Sequence, residues 1–136
     1  ACLPDMISQK WGRIINIAST AGLKAYAYVS AYCTAKHGVI GLTRSVALET
    51  ANAGITVNAI CPGYTETAIT DSAIENISLK TGRTKTEARE ELLKHNPQKR
   101  FIQPEEIANT VLWLCQQEAA SVTGQAISIS GGEVMS

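Results

Sequence analysis

Tyr32 and Lys36 stand four residues apart in the stretch SAYCTAKHG, which runs from Ser30 to Gly38. Residues at positions i and i+4 of a helix are neighbours on one face, so a helix here brings a phenol and an ammonium group together. A free tyrosine has a pKa of about 10 and is a poor acid or base at neutral pH, but a nearby positive charge favours its ionised form. Such a phenol can give a proton to a carbonyl oxygen or take one from a hydroxyl.

The pair by itself also fits a plain amphipathic helix, with a half-buried tyrosine and a lysine in solvent. Its surroundings favour chemistry, because further polar groups follow two predicted strands. Ser19 comes at the end of the first strand, where its hydroxyl can hold a substrate oxygen. The second strand ends in CPGYTET, where Gly63 lets a ligand approach the backbone and Thr65 and Thr67 offer hydroxyls and amides. Catalytic groups in open parallel sheets gather at the carboxyl ends of strands.

Apolar spacing predicts the elements that position these groups. Buried strands are predicted at residues 13–19, 55–60 and 125–130. Helices are predicted at 1–10, closed by Gly12, at 31–52, capped by Ser30, and at 104–117, with one or two short helices in the polar region 64–100. This order is typical of an α/β fold whose parallel sheet has helices on both faces. Three strands are few for such a fold, so the pattern indicates half of one.

Composition limits the function classes. The 136 residues suffice for one small domain, and the 45% hydrophobic content supports a core. Twelve basic and twelve acidic residues cancel, which argues against nucleic acid or an anionic membrane surface as the main partner. No apolar run approaches the ~20 residues that span a bilayer, and the first residues do not resemble a signal peptide. We therefore expect a cytoplasmic location.

Cysteine and histidine usage argues against a metal site. Four widely spaced cysteines form no CxxC pair, and the chain has only two histidines. Reduced, structural thiols are the expectation.

Five segments together resemble the C-terminal half of a short-chain dehydrogenase/reductase: IINIAST, SAYCTAKHGVIGLTRSVALE, GITVNAICPGYTET, QPEEIANTVLWL and VTGQAISISGG. Ser19 precedes Tyr32 by 13 residues, the spacing typical of that family, and the family's PGxxxT segment falls on Pro62, Gly63 and Thr67. The resemblance covers nearly the whole chain. It implies the C-terminal half of a doubly wound Rossmann-type sheet, with residues 1–136 forming one partial domain that lacks the N-terminal dinucleotide-binding half.

The resemblance also implies roles for individual residues in NAD(P)-dependent oxidoreduction of a secondary alcohol or ketone. Tyr32 would be the general acid/base, and Ser19 would position the reacting oxygen and stabilise charge developing on it. Lys36 would favour the ionised tyrosine and bond the nicotinamide ribose. With Tyr32 and Lys36, the positions expected to contact NAD or NADP are Pro62, Gly63, Thr65 and Thr67.

The other tyrosines, Tyr26, Tyr28 and Tyr64, have no lysine four residues later, so we expect them to line the pocket or to pack. Thr20 is expected to be structural. The family's glycine-rich phosphate loop and the residue that separates NAD from NADP would precede Ala1. A dinucleotide held at one end only is expected to bind weakly.

The expected substrate is a small-molecule carbonyl or alcohol. The chain is similar to 3-oxoacyl reductases, 3-hydroxyacyl dehydrogenases and 3-hydroxybutyrate dehydrogenases. The last group reads its substrate's carboxylate with a histidine two residues after the serine and a lysine three before the tyrosine. Ala21 and Val29 occupy those positions here, which favours a less charged carbonyl compound such as a thioester.

Two further expectations concern partners. The family pairs subunits through two surfaces, so a homo-oligomer (dimer or tetramer) of the full-length form is expected; the candidate contacts, equally compatible with core packing, are Val39, Val46, Trp113 and Leu114. The alternative function is a truncated, catalytically silent fragment that acts only through association with partner subunits. A self-sufficient binding domain is disfavoured, because the strand at 13–19 would keep an uncovered hydrophobic edge.

Overall fold

A three-stranded parallel sheet forms the centre of the chain. The computed structural model describes residues 1–135. The strands are β1 (Gly12–Ile17), β2 (Ile55–Pro62) and β3 (Ala126–Ile129), in the order β1-β2-β3 with both pairings parallel. The helices are α1 (Leu3–Gln9), α2 (Ser30–Thr50), α3 (Ala68–Thr81), α4 (Lys85–Leu93) and α5 (Pro104–Leu114). The predicted α/β fold is confirmed, including two short helices in the polar region.

The core forms around β2, the central strand. Its positions 55–61 are all buried, as expected of a strand with neighbours on both sides. Ile40 and Ala47 of α2 pack against alternate residues of β2, so α2 covers one face of the sheet. Ile60, on the opposite face, is also completely buried, and α5 contacts both β1 and β2.

Two predicted helix ends are wrong. Ser30 was expected to cap α2, but it is the first helical residue, because the Cys33 N–H already bonds to the Val29 carbonyl at 2.9 Å. The residue that closes α1 is Lys10, in the left-handed conformation (φ 52°), and not Gly12. Gly12 starts β1 instead, where a Cβ would lie 2.6 Å from the Met6 sulfur.

The four candidate contact residues for a partner subunit divide between core and surface. Val39 and Val46 pack against buried clusters under α2, and Leu114 is buried. Trp113 is about half exposed, at 45%. Core packing thus accounts for three of the four positions within the chain.

The outer edge of β1 is open. Within residues 1–135 no strand pairs with it, and a hollow of about 480 Å³ lies beside it. Ile14 and Ile15 of β1 line this hollow together with Leu42 and Val46 of α2. Among the same described residues, no helix has the length and apolar character needed to cross a membrane.

Candidate active site

The carboxyl ends of β1 and β2 lie at the same edge of the sheet, because the two strands are parallel and Ile17 pairs with Ile60. Beyond β1, Ser19 has extended backbone and starts a short 3-10 turn, Thr20–Gly22. The Ser19 hydroxyl oxygen accepts a hydrogen bond from the Ala21 N–H at 3.1 Å. That bond leaves the hydroxyl proton available to donate.

Gly22 fits the turn closely against α2. A Cβ on this residue would lie 2.7 Å from the Lys36 carbonyl oxygen and 2.8 Å from a methyl carbon of Ile40. Atoms cannot approach that closely, so only glycine allows this contact. The contact fixes the position of Ser19 relative to the helix that carries Tyr32.

Tyr32 and Lys36 lie together on α2, as their spacing predicts. The Lys36 ammonium is 5.6 Å from the centre of the Tyr32 ring and donates to the Ile17 carbonyl at 3.1 Å. An ammonium has three donors, so two remain for a ligand. Tyr32 is half exposed, at 50%. The helix therefore presents an accessible phenol beside an anchored cation at the end of β1.

The buried thiol of Cys61 lies near both Ser19 and Lys36. Burial raises the pKa of Cys61, near the end of β2, while a hydrogen bond with the Ser19 backbone and the charges of Arg44 and Lys36 act in the opposite direction. Ser19 and Lys36 thus both lie near this sulfur. Cys33 is likewise a buried free thiol, and the other free cysteines, Cys2 and Cys115, are exposed.

Backbone bonds fix the loop after β2. The Gly63 N–H donates to the Ile129 carbonyl, and the Ile102 N–H donates to the Tyr64 carbonyl, both at 2.9 Å. Thr65 pairs with Ile102 as an isolated bridge. Thr67 precedes α3 as its N-cap residue, and its hydroxyl makes no capping bond. The hydroxyl donates instead to the Thr65 carbonyl at 3.4 Å, which leaves the first-turn amides of α3 without a side-chain cap from Thr67.

Helix α4 reaches back to the same loop through Arg89. Its guanidinium forms a forked ion pair with Glu66 at 2.9 and 2.8 Å and lies 4.3 Å from the centre of the Phe101 ring. The Arg89 hydrogen bond holds the pKa of Glu66 below its ordinary value. Phe101 in turn packs tilted on Tyr64, with 6.4 Å between ring centres.

A polar cluster that sequence reasoning missed lies at the same edge. The Tyr26 hydroxyl donates to the Glu133 carboxylate at 2.5 Å and lies 2.8 Å from the Thr20 hydroxyl. Lys24 pairs with the same carboxylate oxygen at 3.0 Å, and the Glu133 side chain is only 4% exposed. Burial, and next the hydrogen bond to Glu133, raise the pKa of Tyr26. The one sequence signal is an acidic residue directly after the paired glycines at 131–132.

The other three tyrosines lie outside the reactive pair. Tyr26 packs into the cluster, and Tyr64 packs on Phe101, as expected for residues outside the reactive pair. Tyr28 is fully exposed and lies in the left-handed region (φ 66°), so it neither packs nor lines an enclosed space. Within residues 1–135, no three histidine, cysteine, aspartate or glutamate side chains are grouped closely enough to hold a metal ion.

Comparison with known proteins gives consistent matches over nearly the whole chain. The profile of the family described as enoyl-(acyl carrier protein) reductase matches residues 1–133. A D-beta-hydroxybutyrate dehydrogenase of Rhizobium meliloti is 46% identical over 96% of this chain and 51% of its own length. A 3-oxoacyl-[acyl-carrier-protein] reductase of Aquifex aeolicus is 41% identical over 96% and 48%.

Solved structures with a similar fold come from the same kinds of enzyme. The crystal structure of F189W actinorhodin polyketide ketoreductase with NADPH superposes with a TM-score of 0.88 at 41% identity, covering 94% of this chain and 49% of that one. Sorbitol-6-phosphate 2-dehydrogenase from Erwinia amylovora gives a TM-score of 0.89 at 34% identity, covering 96% and 52%. The chain thus spans about half the length of the relatives it matches.

Proposed function

Because the chain belongs to the short-chain dehydrogenase/reductase family, we propose that it forms the proton-transfer half of an oxidoreductase. That enzyme would interconvert a secondary alcohol and a ketone with NAD or NADP. The observation that carries the proposal is the Lys36 ammonium, anchored on the Ile17 carbonyl beside the accessible Tyr32 ring.

The donor groups at this edge suit a nicotinamide dinucleotide. Lys36 keeps two N–H donors for the ribose hydroxyls. The start of α3, at Thr67, offers a hydroxyl and helix amides where a phosphate binds well. Pro62, Gly63 and Thr65 would flank the nicotinamide. When bound, the cofactor supplies or accepts the hydride.

The chain's own residues would manage the proton and the reacting oxygen. In the reducing direction, the Tyr32 hydroxyl donates its proton to the ketone oxygen, and in the oxidising direction the phenolate takes it from the alcohol. Lys36 stabilises the phenolate by its positive charge. The Ser19 hydroxyl accepts from Ala21, so it donates its own proton to the substrate oxygen and stabilises charge that develops there.

The substrate class that we propose is a 3-oxoacyl or 3-hydroxyacyl compound. Support comes from the relatives named as 3-oxoacyl reductase and hydroxybutyrate dehydrogenase. Ala21 is buried and Val29 is apolar, so neither offers a charge to a substrate carboxylate.

A second candidate is a catalytically silent chain that acts only through association with partner subunits. The open outer edge of β1 and the apolar hollow beside it favour such association. Exposed Leu42, Leu112 and Trp113 are compatible with a homo-oligomer, which we propose for the full-length form.

The test begins with the intact mass of the polypeptide as its source organism produces it, which identifies the protein to assay. Reduction of a panel of ketones is then followed by the loss of NADH or NADPH absorbance. Tyr32→Phe should abolish turnover while reduced cofactor still binds, and the exposed Tyr28→Phe serves as the control. Unchanged turnover in Tyr32→Phe contradicts the proposed role. Absence of both cofactor binding and turnover of any ketone favours the second candidate.

A further inference from the structure

We propose that Glu133 selects the substrate by charge: its carboxylate disfavours 3-oxo compounds that end in a free carboxylate and leaves uncharged 3-oxo esters and thioesters as the substrate class. This inference rests on the proposed function and deepens it. Glu133 takes no part in the proton transfer assigned to Tyr32.

The carboxylate has a fixed position. Its side chain is 4% exposed, and one oxygen, Oε1, accepts from the Tyr26 hydroxyl at 2.5 Å and pairs with Lys24 at 3.0 Å. The other oxygen, Oε2, is directed at the loop after β2, because a Cβ on Gly63 would lie 3.4 Å from it. A charged group is therefore held against the backbone that the proposed function places beside the nicotinamide.

The negative charge acts beyond the ion pair, on Tyr64, the residue after Gly63. After burial, the Glu133 charge is the largest cause that raises the pKa of Tyr64, and the neighbouring Tyr32 adds to it. Tyr64 thus lies within electrostatic range of both residues. Lys24 contacts Oε1 and lies 4.8 Å from the Tyr26 ring centre, whereas Oε2 lies beside Gly63. The ammonium therefore compensates the carboxylate mainly on the Tyr26 side.

Other charges at this edge do not reverse the preference. The Lys36 ammonium lies near Tyr32, and one of its donors is bound to the Ile17 carbonyl. The proposed function assigns its other donors to the cofactor ribose. Ala21 and Val29, on the segment between Ser19 and Tyr32, carry no charge. Arg89, which stacks on Phe101 behind Tyr64, is already paired with Glu66. A substrate carboxylate placed near Tyr64 would therefore meet Glu133, while Lys24 and Arg89 already have carboxylate partners.

The experiment compares two ketones, 3-oxobutanoate and its methyl ester, which differ in charge and by one methyl group, with the polypeptide as its source produces it. The readout is the ratio of kcat/KM for the carboxylate to kcat/KM for the ester. Glu133→Gln keeps the size of the side chain and an oxygen for Tyr26. Removing this negative charge should raise the ratio by about tenfold, because it ends the repulsion of a substrate carboxylate. Lys24→Met should lower the ratio, because it removes the compensating cation.

Glu118→Gln is the matched control. It also removes one negative charge, but Glu118 lies in the 3-10 turn Gln117–Ala119, whose Gln117 lines a hollow with Trp11 and Ile55 at the amino ends of the strands. This control should leave the ratio unchanged.

Each outcome decides the matter. Ester reduction with the same ratio in Glu133→Gln as in the wild type overturns the inference and leaves the proposed function standing. An equal shift in Glu118→Gln does the same, because it reveals a general charge effect. If Glu133→Gln fails to fold, the direction of the Lys24→Met shift decides. If the wild type reduces no ketone with either cofactor, the proposed function fails and the inference fails with it.

Discussion

The Lys36 ammonium lies 5.6 Å from the centre of the Tyr32 ring, one helical turn away, while its hydrogen bond to the Ile17 carbonyl ties α2 to the end of β1. A lysine on a helix surface ordinarily samples many rotamers. Here one donor is committed to a backbone oxygen, so the position of the charge beside the phenol is set before any ligand binds. This preorganisation is what a proton-transfer site requires.

Replacing Lys36 should separate two effects of that cation. Lys36→Met removes the charge beside Tyr32 and the donors for the ribose, so we expect turnover to fall by about 100-fold or more and reduced cofactor to bind more weakly. Lys36→Arg keeps a positive charge but not the geometry of the ammonium. Its turnover and cofactor affinity should lie between those of the wild type and those of Lys36→Met. Steady-state kinetics and cofactor fluorescence measure both quantities. Lys10→Met, at the opposite end of β1, is the control and should match the wild type.

The contact between Gly22 and α2 predicts opposite effects for two glycine substitutions. Gly22→Ala places a methyl group against the Lys36 carbonyl oxygen, so it should destabilise the fold by roughly 1–3 kcal/mol and reduce turnover by displacing Ser19. Gly38→Ala lies within α2 with no atom within 4 Å of its Cβ, so it should stabilise by about 0.5–1 kcal/mol. Urea unfolding measures both. Equal stability of the two variants would refute the tight packing.

The start of α5 predicts a specific pH dependence of stability. Hydrogen bonds from Arg100, and next from the Gln103 backbone, lower the pKa of Glu106 from 4.5 to about 2. A lowered folded-state pKa means that the carboxylate stabilises the fold fully above the unfolded value near 4.5, and that this contribution is lost as pH falls toward 2. We expect the stability difference between wild type and Glu106→Gln to be largest above pH 4.5 and to shrink on acidification.

Chemical denaturation at a series of pH values checks this prediction. Glu105→Gln, one residue away in the same helical turn, removes an equal charge without disturbing the Arg100 pair. A difference between wild type and Glu106→Gln that stays constant down to pH 2 would show that the ion pair does not stabilise the fold.

The sequence predicted the strongly patterned elements and the pairing of Tyr32 with Lys36. The short, continuous apolar run was enough to predict β2, which is buried along nearly its whole length. The four-residue spacing was enough to predict that Tyr32 and Lys36 are neighbours, because a helix has fixed geometry. Helix boundaries were less predictable. At Val29 and Lys10, backbone angles decide where a helix begins or ends, and residue preferences describe those angles only weakly.

The Glu133 cluster had no local pattern to reveal it. Tyr26 and Glu133 are separated by 107 positions, and only the folded sheet brings their segments to one edge. Glu66 was likewise overlooked between Thr65 and Thr67, because its partner comes from α4. Contacts of this kind depend on tertiary packing, whereas spacing rules describe a single element.

The Arg89–Glu66 pair leads to the last prediction, that α4 holds the cofactor loop in place. Glu66 lies between Thr65 and Thr67, and its forked bond to Arg89 fixes the loop that we expect to contact the nicotinamide and its phosphates. Both side chains are about 40% exposed (41% and 39%), so the fold itself should be little affected by Glu66→Gln. Loosening the loop should nevertheless weaken reduced-cofactor binding by about two- to fivefold. The effect is small because a partly exposed ion pair contributes little free energy.

A second ion pair on α4 provides the control for that prediction. Glu75 of α3 and Lys85 of α4 lie 3.6 Å apart, and both are more exposed than Glu66 and Arg89. Glu75→Gln should leave the cofactor Kd unchanged while removing the same charge as Glu66→Gln. Arg89→Lys should weaken binding as well, because an ammonium cannot form the forked bond or stack on Phe101 in the same way. If Glu66→Gln and Glu75→Gln change the Kd equally, net charge and not the position of the loop controls cofactor affinity, and the role assigned to Arg89 is wrong.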